Sequence, residues 1–282
     1  MFVPWKLSLW LQRWLPAFLL KPLKSAYTSH HAGVMRRMDA RLEIIVAQLF
    51  PTRPARVVAG PFQGMNYVGA SVGSALVPKL VGSYEVELSG AIEQMARHGY
   101  DRIFNVGCAE GYYAVGLARF IPQARVVVFE MEEKGRALVR AMAERNSVLD
   151  RFEILGTCEP QGLASALATP SRTLVICDVE GYEDVLMNPV ACPPLTRAHI
   201  LVELHDCKNA GVSERVSRRF EATHDITILW QQRRTAAEFP LSTAYTRKID
   251  PEHLAAAIDE GRPVRLDRTP MSWFWMTPKG IA

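Results

Sequence analysis

Short apolar runs alternate with amphipathic segments from Asp101 onward. The apolar runs predict strands, because they are rich in Val, Ile and Phe and are too short for typical helices: Arg102–Val106, Ala124–Phe129, Phe152–Leu155, Thr173–Cys177, His199–Glu203 and Asp225–Trp230. Between them, helical spacing of apolar positions predicts helices over Tyr112–Phe120, Glu132–Leu149, Gly162–Ala168, Glu183–Met187 and Ser213–Ala222. This alternation predicts an α/β fold, with a mostly parallel sheet and helices on both faces.

The chain on either side of this alternation has a different pattern. Before Asp101 we predict, in order, a helix, a hairpin and a second helix, over Val34–Phe50, Arg56–Val68 and Tyr84–His98. After Trp230 a long mixed segment contains a predicted helix, Pro251–Ile258, and ends in an aromatic strand, Met271–Met276. We therefore divide the chain into an N-terminal helical and hairpin extension, residues 1–100, and an α/β domain, residues 101–282.

The first part of that extension, Met1–Ser25, combines three tryptophans with four basic residues. Lys6, Gln12 and Arg13 interrupt its apolar run well below the ~20 residues that span a bilayer. Two interpretations stay open. The segment either lies on a membrane as an interfacial anchor, or packs as a helix on the domain or on a second subunit in a homodimer.

The composition excludes several classes of protein. A formal charge of +4 without a dense basic tract does not indicate nucleic acid as a partner. The five cysteines have no C-x-x-C spacing, so neither a disulfide framework nor a structural zinc site is predicted. A reducing cytoplasmic location, with membrane association if the N-terminal segment is an anchor, fits best.

The segment Asn105–Gly111, reading NVGCAEG, joins the first predicted strand of the domain to a helix. Gly107 and Gly111 allow backbone conformations that a Cβ would obstruct, and the start of the helix presents free N–H groups. The turn is therefore expected to bind a nucleotide-like ligand. The G-x-G-x-x-G spacing of a dinucleotide fold is absent, and Glu110, if it faces the ligand, would repel a pyrophosphate.

This turn resembles motif I of the class I S-adenosylmethionine-dependent methyltransferases, (D/E)-x-G-x-G-x-G. Asn105 stands at the acidic position, and Gly107, Ala109 and Gly111 stand at the three glycines. The resemblance implies a Rossmann-like sheet of seven strands, the last one antiparallel, and a cofactor site that includes Cys108 and Glu110 between the motif positions.

Two further strand ends complete the cofactor site that we predict. Glu130 follows the second strand, beside the first turn, where its carboxylate can accept hydrogen bonds from a ribose diol. In the family that it resembles, the matching residue is the motif II acid. Thr157 and Cys158, after the third strand, lie where this family contacts adenine, and Asp178, after the fourth, completes the set.

The fourth strand ends in CDVEGYE, Cys177–Glu183, which resembles the DVEGAE signature of the FkbM-type methyltransferases. That resemblance implies O-methylation of a hydroxyl on a sugar, glycan or natural product. We predict Asp178, Glu180 and His205 as catalytic residues, because they lie at strand ends and because imidazole titrates near neutral pH and can take a proton from a hydroxyl.

A metal-assisted reaction is the alternative at this edge. Asp178 with Glu203 or Asp206 would hold one Mg²⁺ through carboxylate oxygens and acidify an acceptor diol. Strand alternation places Glu203 and His205 on one side of the fifth strand and Asp206 on the other.

The leading hypothesis is thus a methyltransferase that takes S-adenosylmethionine, with Mg²⁺ as an optional second cofactor and a hydroxylated small molecule or glycan as acceptor. Two alternatives remain: an NAD-binding oxidoreductase, and a catalytically silent methyltransferase-like module that binds a partner.

Overall fold

The computed structural model describes residues 55–232, 258, 260 and 271–280. All of them belong to the larger of two compact units, Thr52–Ala282. The tryptophan-rich segment Met1–Ser25, the predicted helix Val34–Phe50 and nearly all of the predicted helix Pro251–Ile258 lie outside the described residues. In the part of the chain that is described, no helix has the length and apolar character needed to cross a membrane.

The described secondary structure follows the predicted alternation. The strands are β1 Arg102–Val106, β2 Arg125–Phe129, β3 Phe152–Leu155, β4 Thr173–Cys177, β5 His199–Leu204, β6 His224–Trp230 and β7 Ser272–Pro278. The α-helices are α1 Leu76–Val81, α2 Ser89–His98, α3 Tyr112–Phe120, α4 Glu133–Arg145, α5 Pro160–Ala166, α6 Glu183–Leu186 and α7 Val212–Phe220. Short 3₁₀ turns occupy Val86–Leu88, Leu149–Arg151 and Pro193–Arg197.

These strands form one seven-stranded sheet in the order β3-β2-β1-β4-β5-β7-β6. Strands β1 to β5 pair in parallel, and β7 inserts between β5 and β6, antiparallel to both. The predicted Rossmann-like fold class, with an antiparallel last strand, is confirmed. Because β1 to β5 run the same way, their carboxyl ends meet at one edge of the sheet.

Helices cover both faces of the sheet, as the strand pattern requires when both faces are buried. On one face, α5, α6 and α7 bury Leu163, Leu186 and Phe220 against alternate strand residues such as Phe104 and Val202. On the other face, α3 packs on β1 and β2.

The residues before β1 differ in part from the prediction. The hairpin forms around a single antiparallel bridge between Arg56 and Asn66 rather than a long ladder. The helix expected from Tyr84 begins only at Ser89, because Glu85 has a left-handed backbone conformation, φ 46°, which no helix continues. Helix α1 was not predicted, since its six residues are too few to establish a periodic pattern.

Candidate functional site

A cavity of about 730 Å³ lies at the carboxyl edge of the sheet. Residues at the ends of five strands line it: Gly107 after β1, Glu130 after β2, Thr157 after β3, Asp178 after β4 and Glu203 near the end of β5. Residues that precede the sheet line it as well, among them Val72–Ser74, Lys79, Tyr84 and Glu85. This is the edge at which open α/β sheets bind their ligands.

The backbone of the protein itself requires a glycine at position 107. Its φ is +72°, and a Cβ at this position would lie 1.7 Å from the carbonyl oxygen of Asp178. The Asp178 N–H in turn donates to the Val106 carbonyl at 3.0 Å. The turns after β1 and β4 are therefore in direct backbone contact, so a side chain at 107 would separate them whether or not a ligand binds.

Ala109 stands at the second glycine position of the motif and has the backbone conformation of a glycine. Its φ is +50°, in the left-handed region that is costly for residues with a Cβ. In this conformation the Ala109 N–H donates to Glu130 Oε2 at 2.8 Å. The turn therefore anchors the acid of the neighbouring strand.

Glu130 is held from two sides and lines the cavity. Besides the bond from Ala109, its Oε1 accepts from the Glu132 N–H at 2.8 Å. Gly135 leaves room for it, since a Cβ there would lie 2.6 Å from Glu130 Cγ. A carboxylate fixed in this way is preorganised to accept hydrogen bonds from a ligand in the cavity.

Asn105, at the acidic position of the motif, also lines the cavity. Its side chain is buried, and within the described residues its Oδ1 has no hydrogen-bond partner. A buried amide oxygen without a donor is costly, so a polar group of a ligand is the partner that this position calls for. Cys108 lines the same wall, where burial, followed by the charge of Glu130, raises the pKa of its thiol.

Glu110 and Gly111 do not line the cavity, which corrects the prediction that they contact the cofactor. Glu110 is fully buried, forms an ion pair with Lys79, and accepts hydrogen bonds from Tyr67 Oη and, at 3.0 Å, from the Val72 N–H. Burial acts to raise the pKa of Glu110, but the Lys79 ammonium and these hydrogen bonds outweigh it, and the pKa is lowered. The carboxylate therefore holds the segment before the sheet rather than facing a ligand.

The residues predicted to contact adenine line one end of the cavity, and their role stays a prediction. Thr157, Cys158 and Glu159 line the cavity together with Met131 and Tyr182. Tyr182 Oη donates to Glu159 Oε2 at 3.1 Å, which links two of these lining residues. Burial raises the pKa of the Cys158 thiol to about 12, which keeps it uncharged.

The other end of the cavity gathers the predicted catalytic residues around His205. Its Nε2 lies 3.3 Å from Glu180 Oε2, 3.7 Å from Asp178 Oδ1 and 3.8 Å from Glu203 Oε2. All of these side chains line the cavity. The structure therefore brings Asp178, Glu180 and His205 together at the strand ends, and their catalytic role stays a prediction.

The opposite nitrogen of His205 contacts a residue that was not predicted. Nδ1 lies 2.7 Å from Glu183 Oε1, a fully buried carboxylate at the start of α6. Burial acts to lower the pKa of His205, but the bond to Glu183 and the charges of Glu203, Glu183 and Glu180 outweigh it, and the pKa is raised.

Asp206 lies apart from this cluster, which corrects its prediction as a metal ligand. Its Oδ1 accepts from the Gly211 N–H at 3.0 Å, and its Oδ2 accepts from Ser213 Oγ. It therefore ties the turn after β5 to the start of α7, and because β5 ends at Leu204 the strand alternation does not extend to it.

His205 takes the place of Asp206 among the possible metal ligands. Asp178, Glu203 and His205 each offer one ligand atom, and these atoms lie within 4.8 Å of one another. This donor set does not fit Mg²⁺, which takes oxygen ligands in octahedral geometry, because one of its three members is an imidazole nitrogen.

Asp178 is destabilising in its charged form. Burial, and then the charges of Glu203, Glu85, Glu180 and Glu183, raise its pKa well above the usual value. A carboxyl whose pKa is raised on folding binds its proton more tightly in the folded state. Its contribution to stability is therefore lost as the pH rises from the unfolded pKa towards the folded one.

We expect Asp178→Asn to raise stability by about 1 kcal/mol near pH 8, or roughly 2–4 °C in melting temperature, and by less at pH 5. Thermal unfolding of both proteins at the two pH values checks this. An equal or larger gain at pH 5 would contradict the assignment of a raised pKa to Asp178.

Several residues that line the cavity do not follow a strand, so the positions of the strand ends could not indicate them. Lys79, Tyr84 and Glu85 come from the segment before the sheet, and Tyr113, from α3, donates to the Glu85 carboxylate. Glu183 was visible within CDVEGYE, but no local pattern indicates that its partner is His205.

No protein-family model matches the chain, and no curated protein matches it in sequence. Solved structures similar to it include an O-methyltransferase from Bacillus cereus in complex with SAH, 15% identical over 66% of this chain and 78% of that chain, TM-score 0.43. The O-methyltransferase TomG from Streptomyces achromogenes, in complex with SAM, is 16% identical over 67% and 77%, TM-score 0.42. A precorrin-6y C5,15-methyltransferase from Geobacter metallireducens is 10% identical over 74% and 93%, TM-score 0.47. All three are methyltransferases, and all three are distant from this chain in sequence.

Proposed function

We propose that this protein is an S-adenosylmethionine-dependent methyltransferase that methylates a hydroxyl oxygen. The observation that carries the proposal is the pair Ala109 and Glu130, in which a glycine-like turn after β1 fixes a cavity-facing carboxylate after β2. An acid fixed at this position is what a ribose diol requires. The unpartnered Asn105 Oδ1 supplies a further acceptor, and Thr157 and Cys158 border the place for the adenine.

The chemistry that the bound cofactor supplies is an activated methyl group on a sulfonium. The chain's own contribution is to align the acceptor and to receive its proton. His205 Nε2 faces the cavity beside Asp178 and is the group that takes this proton, since a base must lie within hydrogen-bond reach of the hydroxyl. Asp178 and Glu180 border the same position and accept hydrogen bonds from the acceptor.

The acceptor in this proposal is a hydroxylated small molecule, sugar or glycan. A charged carboxylate only accepts hydrogen bonds, so it suits a hydroxyl donor. Asp178, Glu180 and Glu203 provide several carboxylates around one imidazole. The proposed reaction assigns the acceptor proton to His205 and no step to Mg²⁺, for which an imidazole ligand is a poor match.

Isothermal titration with S-adenosylmethionine, and separately with NAD, tests the cofactor. Saturable binding of S-adenosylmethionine with no binding of NAD supports the proposal, and the reverse result would establish the oxidoreductase alternative. A screen of hydroxylated acceptors for S-adenosylhomocysteine release then tests turnover. Tight cofactor binding with no release on any acceptor class would favour a silent binding module.

A further inference from the structure

Glu183 and His205 form a buried pair behind the catalytic end of the cavity. Glu183 is completely buried, and its Oε1 accepts from the Gly181 N–H at 2.9 Å and lies 2.7 Å from His205 Nδ1. A carboxylate without a bound proton only accepts hydrogen bonds, so the proton between these two groups belongs to Nδ1 of the imidazole. Nε2 is the nitrogen that faces the cavity.

Stability does not explain why this carboxylate is buried. Within the described part of the chain its second oxygen, Oε2, has no hydrogen-bond partner. A buried charge with an unsatisfied oxygen costs free energy, and apolar or neutral residues of similar size often replace such groups without loss. A residue that is costly for folding and bonded to a cavity-facing histidine points to a role in the reaction.

We propose that Glu183 is a positioning residue, which holds His205 in the tautomer protonated on Nδ1 and so presents the Nε2 lone pair to the acceptor hydroxyl. The inference rests on the proposed function. As the acceptor oxygen bonds to the methyl carbon and the carbon–sulfur bond breaks towards sulfur, the hydroxyl proton moves to Nε2. The imidazolium that results is stabilised by the Glu183 carboxylate at Nδ1.

Other charged groups also face His205, and they do not duplicate this role. Asp178, Glu180 and Glu203 all approach Nε2, at 3.3–3.8 Å. Glu180 is also paired with Lys208. Among the described residues, only Glu183 contacts Nδ1, so the removal of Glu183 alone should free the tautomer.

The test is ¹⁵N NMR of the full chain labelled at histidine, with the His205 signals identified by their loss in His205→Asn. At a pH high enough to make His205 neutral, we expect Nδ1 of the wild-type protein to show the shift of a protonated nitrogen and Nε2 that of an unprotonated one. In Glu183→Leu both signals should move towards a common average. Glu183→Gln keeps the shape of the glutamate side chain and serves if the leucine variant does not fold. In this variant the two nitrogen signals should move in the same direction.

Asp184→Asn is the matched control, because it removes the same charge one residue away. Asp184 pairs with Arg215 and Arg219 instead of with His205. Its histidine spectrum should be that of the wild-type protein. A wild-type His205 protonated on Nε2, or a spectrum unchanged in both Glu183 variants, would overturn the proposal.

Kinetics distinguish positioning from a merely structural role. On an acceptor found in the screen, Glu183→Gln should lower kcat roughly 10²-fold or more with KM for S-adenosylmethionine unchanged. A loss of stability with kcat retained would show that Glu183 is structural and overturn the proposal. If the wild-type protein does not bind S-adenosylmethionine, the proposed function fails on its own, while the NMR result still decides the tautomer.

Discussion

Replacement of His205 by asparagine is expected to lower turnover by roughly 10²–10⁴-fold, the usual cost of losing a general base, and to leave the affinity for S-adenosylmethionine unchanged. The reason is its location: His205 lies among Asp178, Glu180 and Glu203 at the ends of β4 and β5, whereas Glu130 follows β2, two strands beyond β4 in the sheet. Rates of S-adenosylhomocysteine release, together with titration of the cofactor, provide the measurement.

His98→Asn is the matched control, since this histidine is exposed on α2 and does not line the cavity. It should keep full turnover. Full activity of His205→Asn as well would remove His205 from the reaction. Inactivation of the wild-type enzyme by EDTA, reversed by a divalent metal, would show instead that the Asp178, Glu203 and His205 cluster acts through a metal.

The pH dependence of turnover should follow the same residue. The pKa of His205 is raised above its usual value of about 6.5, and a general base works only when deprotonated. We therefore expect kcat to rise with pH through a limb that lies above that value. Glu183→Gln should move this limb towards lower pH, because the charge that favours the imidazolium is gone. A limb at or below pH 6.5 in the wild-type enzyme would argue against the assignment.

The second large effect is expected at Glu130. Glu130→Ala should weaken S-adenosylmethionine binding by about 1.5–3 kcal/mol, or roughly 10- to 150-fold, because a charged acceptor of ribose hydrogen bonds is lost. The same change also removes the hydrogen bond that the Ala109 N–H donates to the Glu130 carboxylate. Isothermal titration measures the loss directly.

Glu132→Ala provides the comparison for Glu130, because its side chain is exposed and its backbone N–H, which the mutation keeps, donates to Glu130. Its affinity should be that of the wild-type protein. Equal affinity in Glu130→Ala would exclude a ribose contact, and a loss in both variants would indicate that the turn after β2 had changed shape.

The sheet and the strand ends were predictable from sequence because the signals there are local. The central strands are buried on both faces, so apolar runs such as Arg125–Phe129 are continuous, and polar residues such as Glu130 mark where they stop. Strand alternation did not extend to His205 and Asp206, because β5 ends at Leu204.

Contacts between residues far apart in the sequence were missed or assigned wrongly, because local sequence patterns carry no signal for them. Glu110 lies in the glycine motif, yet its partner Lys79 comes from a helix too short to predict. Glu183 and His205 are 22 residues apart and meet because α6 packs against β5. A side chain within a binding motif therefore need not face the ligand, and its direction depends on tertiary packing.

The ion pair between Lys79 and Glu110 limits how far the chain can be truncated from its N-terminus. Both side chains are almost completely buried, and Glu110 sits in the turn that also carries Ala109. A chain shortened to begin at β1 would lose Lys79, Tyr67 and the Val72 N–H together, and with them these hydrogen-bond donors to the Glu110 carboxylate beside the cavity. We therefore expect the sheet alone not to fold stably, and any shortened version that retains the cavity to need the residues from Tyr67 to Lys79.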